Sequence, residues 1–140
     1  MKVLQLLFPS KEQNNQTALL LLVSRVIFAF LLATHGFQKL QGFEAMAGQF
    51  PDPLGLGSEI SLALAIFGEL VCAIAVIFGL LTRLALIPMA FTMFIAFFVA
   101  HGGSTANGGE LSLVYLLIYV LLFFAGPGKY SIDGVLAKKF

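Results

Sequence analysis

Four long apolar runs, separated by short polar breaks, dominate the chain. A bilayer core is about 30 Å thick, so a helix needs roughly 20 apolar residues to cross it. The runs extend from about Thr17 to Lys39, Glu59 to Leu81, Thr82 to His101 and Glu110 to Ala125. The last is short for a span and suits little tilt or a thinner bilayer. None shows the alternation that a membrane barrel strand requires. Charged residues make up 11% of the chain and hydrophobic residues 59%, whereas a soluble domain is about a quarter charged. Too few polar side chains remain to cover a water-facing surface, which excludes a soluble domain and disorder alike. Eight Lys and Arg against seven Asp and Glu give a net charge of +1, which excludes nucleic-acid binding through a basic surface. The expectation is an all-α integral membrane four-helix bundle, one domain over residues 1–140, with the lipid bilayer as its first partner.

The breaks are well marked. Pro51, Asp52 and Pro53, followed by Gly55 and Gly57, cannot form regular helix and separate the first two spans. Gly79 is placed to cap the second span, and Pro88 should kink the third modestly. Gly102 to Gly109 reads as a polar loop, and Gly126-Pro127-Gly128 ends the fourth span. With four crossings, Lys2, Lys11, Arg83, Lys129, Lys138 and Lys139 share one side, which predicts cytoplasmic N and C termini. A cleaved signal peptide is disfavoured, because the first run is too long, Arg25 interrupts it and no Ala-x-Ala site follows. Gly42 to Phe50 and the tail around Ile132, Val135, Leu136 and Phe140 have the spacing of short interfacial helices. Ser131 and Asp133 suit the start of the second of these.

Ionisable groups inside a membrane are costly and therefore informative. Arg25 lies in the first span and Glu69 in the second, at depths that helical rise places within roughly one turn of each other. They are expected to form a buried ion pair, serving either helix register or a functional cavity. A second cluster is expected at the outer boundary, where His35 and Lys39 end the first span, His101 ends the third and Glu110 opens the fourth. His35, His101 and Glu110 are the candidate catalytic groups, able to hydrogen-bond a polar head group or a quinone and to exchange protons. The plainer reading is that they are solvated interface residues. Metal binding by the same three is chemically compatible, but no metal is expected, and haem ligation by the two histidines lacks an evident pocket. Tyr115 and Tyr119, at i and i+4, need partners for their hydroxyls and are candidates, with Lys39, for lining a ligand cavity. Ser61, Ala65, Gly68, Cys72, Ala75 and Gly79 form a small-residue stripe that admits close helix packing, within the bundle or in a homo-oligomer. Cys72 is the single cysteine, so no Cys-x-x-Cys redox pair exists and the thiol reads as a packing residue.

Taken in order, Arg25, the His35-Gly36-Phe37-Gln38-Lys39-Leu40 segment, Gly68-Glu69, Gly79-Leu80-Leu81-Thr82-Arg83, the Gly-Gly segment before Glu110 and Gly126-Pro127-Gly128-Lys129-Tyr130-Ser131-Ile132-Asp133 form a pattern. In it the chain resembles the DoxX family of small bacterial four-helix membrane proteins, from about Ser24 onward. The resemblance implies a multi-pass protein of the bacterial cytoplasmic membrane and an oxidoreductase role. That role derives from relatives linked to a terminal quinol oxidase and to thiosulfate:quinone oxidoreductase, and from others associated with redox-defence partners. A redox partner protein and a quinone, rather than a metal or covalent cofactor, are therefore the expected associates. The scaffold also resembles that of vitamin K epoxide reductase, whose paired cysteines this chain lacks. The alternative is a non-catalytic module that binds a lipid or hydrophobic ligand or scaffolds a membrane complex. A small transporter or proton pathway ranks last, since neither internal repeats nor broken spans are evident.

Overall fold

The computed structural model describes residues 14–52 and 54–137. Long helices α1 (Asn15–Gln41), α3 (Ser58–Phe78), α4 (Thr82–Ala100) and α5 (Gly109–Ala125) carry the fold, with short helices α2 (Phe43–Met46) and α6 (Ile132–Ala137). The first three long helices, of 27, 21 and 19 residues, are long and apolar enough to cross a membrane, and α5 is a shorter apolar helix of the same kind. The described residues are all-helical or loop, as expected. The boundaries fall within a few residues of the apolar runs.

Each helix starts and stops for a local reason. The Asn14 side chain accepts a hydrogen bond from the Thr17 amide at 2.7 Å and so caps α1. Gly79 ends α3 in the left-handed conformation, at φ 71°, which costs glycine little. Arg83 donates from Nε to the Phe123 carbonyl at 2.9 Å and from Nη2 to the Phe124 carbonyl, satisfying orphan acceptors at the end of α5. Of the two expected interfacial pieces, the first is helical only at Phe43–Met46. The second is α6; Lys138 and Phe140 lie outside the described residues, as do Lys2, Lys11 and Lys139.

The four long helices pack as a ring, α1 on α3, α3 on α4 and α4 on α5, with α5 closing more lightly onto α1. The core is built from Ala29, Leu32, Cys72, Val76, Leu86, Met89, Tyr119 and their neighbours. Large apolar side chains such as Phe30, Phe78, Leu121 and Phe124 face outward, where lipid rather than water is their solvent. Part of the small-residue stripe works inside the bundle. A Cβ on Gly68 would collide with Thr92 Oγ1, so glycine there brings α3 and α4 together.

A clasp closes the end of the bundle where α1 starts. Asp133, fully buried, accepts hydrogen bonds from the Leu81 and Thr82 amides, both at 2.8 Å. Its carboxylate thus caps α4, where the helix dipole favours negative charge, rather than merely starting its own helix. Arg25 donates from Nη1 to the Pro127 carbonyl at 2.6 Å and from Nη2 to the Tyr130 carbonyl at 3.0 Å. The segment after α5 is thereby folded back under the bundle.

Candidate functional site

Opposite the clasp, a cavity of about 460 Å³ opens into the bundle. That lies within the range of small-molecule sites, which are mostly apolar with a few placed polar groups. Its walls fit this description. Leu32, Leu64, Phe67, Phe91, Met93 and Leu111 supply apolar surface, while His35, Lys39, Glu69, His101, Ser112 and Tyr115 supply polar groups.

The ion pair in this cavity is Lys39–Glu69, with Lys39 Nζ donating to Glu69 Oε1 at 2.7 Å. The Glu69 side chain is 4% exposed and that of Lys39 23%. The expected Arg25–Glu69 pair is therefore corrected. The antiparallel register sets Arg25 beside Ile77, whose carbonyl lies 3.4 Å from its Nη2. The Glu69 backbone instead packs against Gly36. Arg25 and Gly36 are eleven residues apart in sequence, or about 16 Å along a helix axis. The estimate from span ends erred because the two helices are offset, and Lys39, nearer in depth, takes the carboxylate.

Glu69 sits in a π turn, Phe67–Val71, within α3. Such turns insert one extra residue and re-aim the side chains that follow. A Cβ on Gly36 would lie 2.8 Å from Glu69 C and Leu70 N. Only glycine lets α1 approach the π turn this closely. A second π turn, Ala96–Ala100, ends α4 just before His101, and Ala96 and Ala100 line the same cavity.

Tyr115 is buried, lines the cavity and has no hydrogen-bond partner for its hydroxyl among the described residues. His35 packs edge-on against its ring at a centroid distance of 6.1 Å. Tyr119 stacks behind Tyr115 at 5.7 Å with rings parallel to within 2°. Its own hydroxyl donates to the Phe28 carbonyl at 2.9 Å. Tyr119 is thus a satisfied core residue that holds Tyr115 in place, and not a cavity wall. With no partner among the described residues, the Tyr115 hydroxyl is the donor that the cavity wall leaves open to a ligand's polar atom.

The segment between α2 and α3 forms a strap across one side. Phe50, Pro51 and Leu54 line the cavity from it. Asp52 holds the strap by accepting from the Leu56 amide, the Gly57 amide and the Ser61 hydroxyl, each at 2.9 Å. The Gly57 amide and then the Ser61 hydroxyl hold the Asp52 carboxyl below its usual pKa. A carboxyl depressed in the folded state stabilises above its ordinary pKa near 3.9 and loses that contribution as pH falls through the folded value. Protection of the Leu56 and Gly57 amides, measured as exchange relative to the intrinsic rate at each pH, should therefore hold at neutral pH and fall only as pH drops through the depressed folded value. Asp52→Asn should remove that protection already at neutral pH. Equal protection in the variant would show that Asp52 does not hold the strap.

The structure thus gathers His35, Lys39, His101 and Tyr115 as the sequence suggested, but with Glu69 in place of Glu110. Glu110 is exposed and lies outside the lining. Among the described residues, no three His, Cys, Asp or Glu side chains assemble as a metal site. Sequence reasoning missed the strap and both π turns. The adjacent Gly68-Glu69 and the Gly36 one turn before Lys39 were the signals that two backbones meet there.

The fold and cavity together define a multi-pass helical membrane protein with a polar-headed pocket inside its bundle. The DoxX family profile matches residues 20–102, and the chain belongs to the DoxX family. The chain is similar to Inner membrane protein YqjF of Escherichia coli, 33% identical over 123 residues, covering 85% of this chain and 93% of that protein. Two proteins of Haemophilus influenzae, each named only "Uncharacterized protein", are also similar. One is 28% identical over 138 residues, covering 93% of this chain and 91% of its own. The other is 32% identical over 126 residues, covering 82% and 89%. No solved structure matches the chain significantly.

Proposed function

We propose that the chain binds a quinone in the cavity beside Lys39, Glu69 and Tyr115, and acts as a quinone-linked oxidoreductase or a subunit of a membrane redox complex. The observation that carries this reading is the unpartnered Tyr115 hydroxyl in an apolar cavity that also holds an ion pair. A quinone is largely apolar and carries carbonyl oxygens. Lys39, a donor with three N–H groups and one hydrogen bond among the described residues, and Tyr115 are the donors such oxygens require. His35 and His101 are the titratable groups nearest to the task of exchanging protons at a quinone oxygen.

The protein would sit in the bacterial inner membrane, as the name of its Escherichia coli relative suggests. Its termini would face the cytoplasm by the distribution of lysine and arginine. Electrons would come from a redox partner protein. A homo-oligomer is compatible with the lipid-facing surfaces. The second reading, a non-catalytic lipid-binding module or scaffold, is favoured by the apolar share of the cavity wall.

The test is saturable quinone binding by the purified chain in lipid nanodiscs. Tyr115→Phe removes one donor without changing ring packing and should weaken binding about tenfold, the equivalent of one hydrogen bond at the upper end of the neutral range. Tyr119→Phe should leave binding near wild type, because its hydroxyl is spent on Phe28. Retention of phospholipid with no saturable quinone binding would select the second reading.

A further inference from the structure

The walls of the cavity are not closed on all sides. At the Gly68–Thr92 contact α3 and α4 touch backbone to side chain. Beyond it, towards Ser58, the first part of α3 (Ser58–Ile66) packs on α1 and on its own π turn rather than along α4. The two helices diverge there. Leu64 and Phe67 of α3 and Phe91 of α4 line the cavity, yet each is about half exposed. In a membrane protein, side chains both lining a cavity and exposed on an apolar helix face mark an opening to lipid. Over another side of the cavity lies the strap of Phe50, Pro51 and Leu54, fastened through Asp52. The inner end holds Glu69, buried Tyr115 and the Lys39 ammonium.

We infer that the ligand carries a hydrocarbon tail, that this tail leaves between α3 and α4 across Leu64, Phe67 and Phe91, and that the ligand enters sideways from the bilayer. This inference rests on the proposed quinone reading for the identity of the head and adds a separate subsite for the tail. Three features select a tail as the occupant. The apolar mouth is continuous with a cavity whose polar end holds the Lys39–Glu69 pair and the Tyr115 hydroxyl. A charged or polar occupant would meet only Leu and Phe at the mouth. A tail-less ring would leave the gap between diverging helices to be filled by a separate lipid chain. Hydrocarbon gains nothing from hydrophobic transfer when it moves from lipid into protein. The mouth therefore serves to admit and align the tail, and the head contacts supply the binding.

The chain contains no tryptophan, so a single introduced indole reports without background. Phe91→Trp places it at the mouth. Leu121→Trp places it on the lipid-facing side of α5 as a control, since Leu121 is strongly exposed and outside the lining. Both full-length variants in nanodiscs are titrated with a tailed benzoquinone and with the same compound brominated along its tail. The expected result is saturable loss of fluorescence in Phe91→Trp that bromination deepens, with no saturable bromine effect in Leu121→Trp. A saturable quinone response that bromination deepens equally at both positions, or at neither, overturns the tail site and leaves the head site standing. Absence of any saturable response to either compound in both variants overturns the head reading and the tail with it. Phe67→Trp, on the facing helix, repeats the measurement should Phe91→Trp perturb the bundle, and must give the same pattern.

Discussion

Arg25→Ala should be among the most damaging single substitutions, costing about 3–5 kcal/mol, the range for removing one partner of a buried charged network. Arg25 is 3% exposed, and its guanidinium donates to the Pro127 and Tyr130 carbonyls. Its removal strands those acceptors at the buried end of the clasp. Unfolding in detergent micelles, followed by circular dichroism, measures the loss. Arg25→Lys should recover only part of it, because one ammonium does not reproduce a planar fork that reaches two carbonyls. A loss within the range of exposed ion pairs, under about 1 kcal/mol, would mean that the clasp is held by other contacts.

The second large effect concerns the cavity. Lys39→Ala and Glu69→Ala should each destabilise by about 2–4 kcal/mol, since either leaves a charge without its partner at a largely buried site. Reversing the pair, Lys39→Glu with Glu69→Lys, should recover a good part of that loss, and the non-additivity measures the coupling. The corresponding exchange of Arg25 and Glu69 should recover nothing, because each leaves its own partners behind. Rescue by the Arg25 and Glu69 exchange, with none by that of Lys39 and Glu69, would reverse the assignment made here. The same unfolding assay reads all of these variants.

What the sequence reveals and what it hides follow from different physics. A bilayer demands long apolar helices with internally satisfied backbones, so the spans are written in composition alone. The breaks are as legible, since Gly79 and Gly126-Pro127-Gly128 have few structural options. Pairing across helices is another matter. It depends on axial offset, and each residue of offset moves a side chain by 1.5 Å and by about 100° around the axis. The offset between α1 and α3 is set by Gly36 seated on a π turn, a backbone contact with no periodic signature. The correct charges were therefore visible while their partners were not. Asp133 shows the same limit, because its helical start position concealed a carboxylate that caps a helix 51 residues away in sequence. The cavity groups His35, Lys39 and His101 were legible because polar residues at the ends of apolar runs are few, and Tyr115 because a hydroxyl within an apolar run needs a partner. Glu110, equally polar, lies at the same end yet stays in the exposed first turn of α5.

The central claim is that a quinone head occupies the cavity beside Lys39, Glu69 and Tyr115. Photoaffinity labelling tests it most directly, using an azidoquinone with the full-length chain in nanodiscs and peptide mapping by mass spectrometry. The account predicts saturable adducts on cavity-lining peptides containing Tyr115, Met93 or Leu32, competed by unlabelled quinone and reduced in Tyr115→Phe. Adducts confined to outward-facing residues such as Leu121 or Phe124, unaffected by competitor, would contradict it.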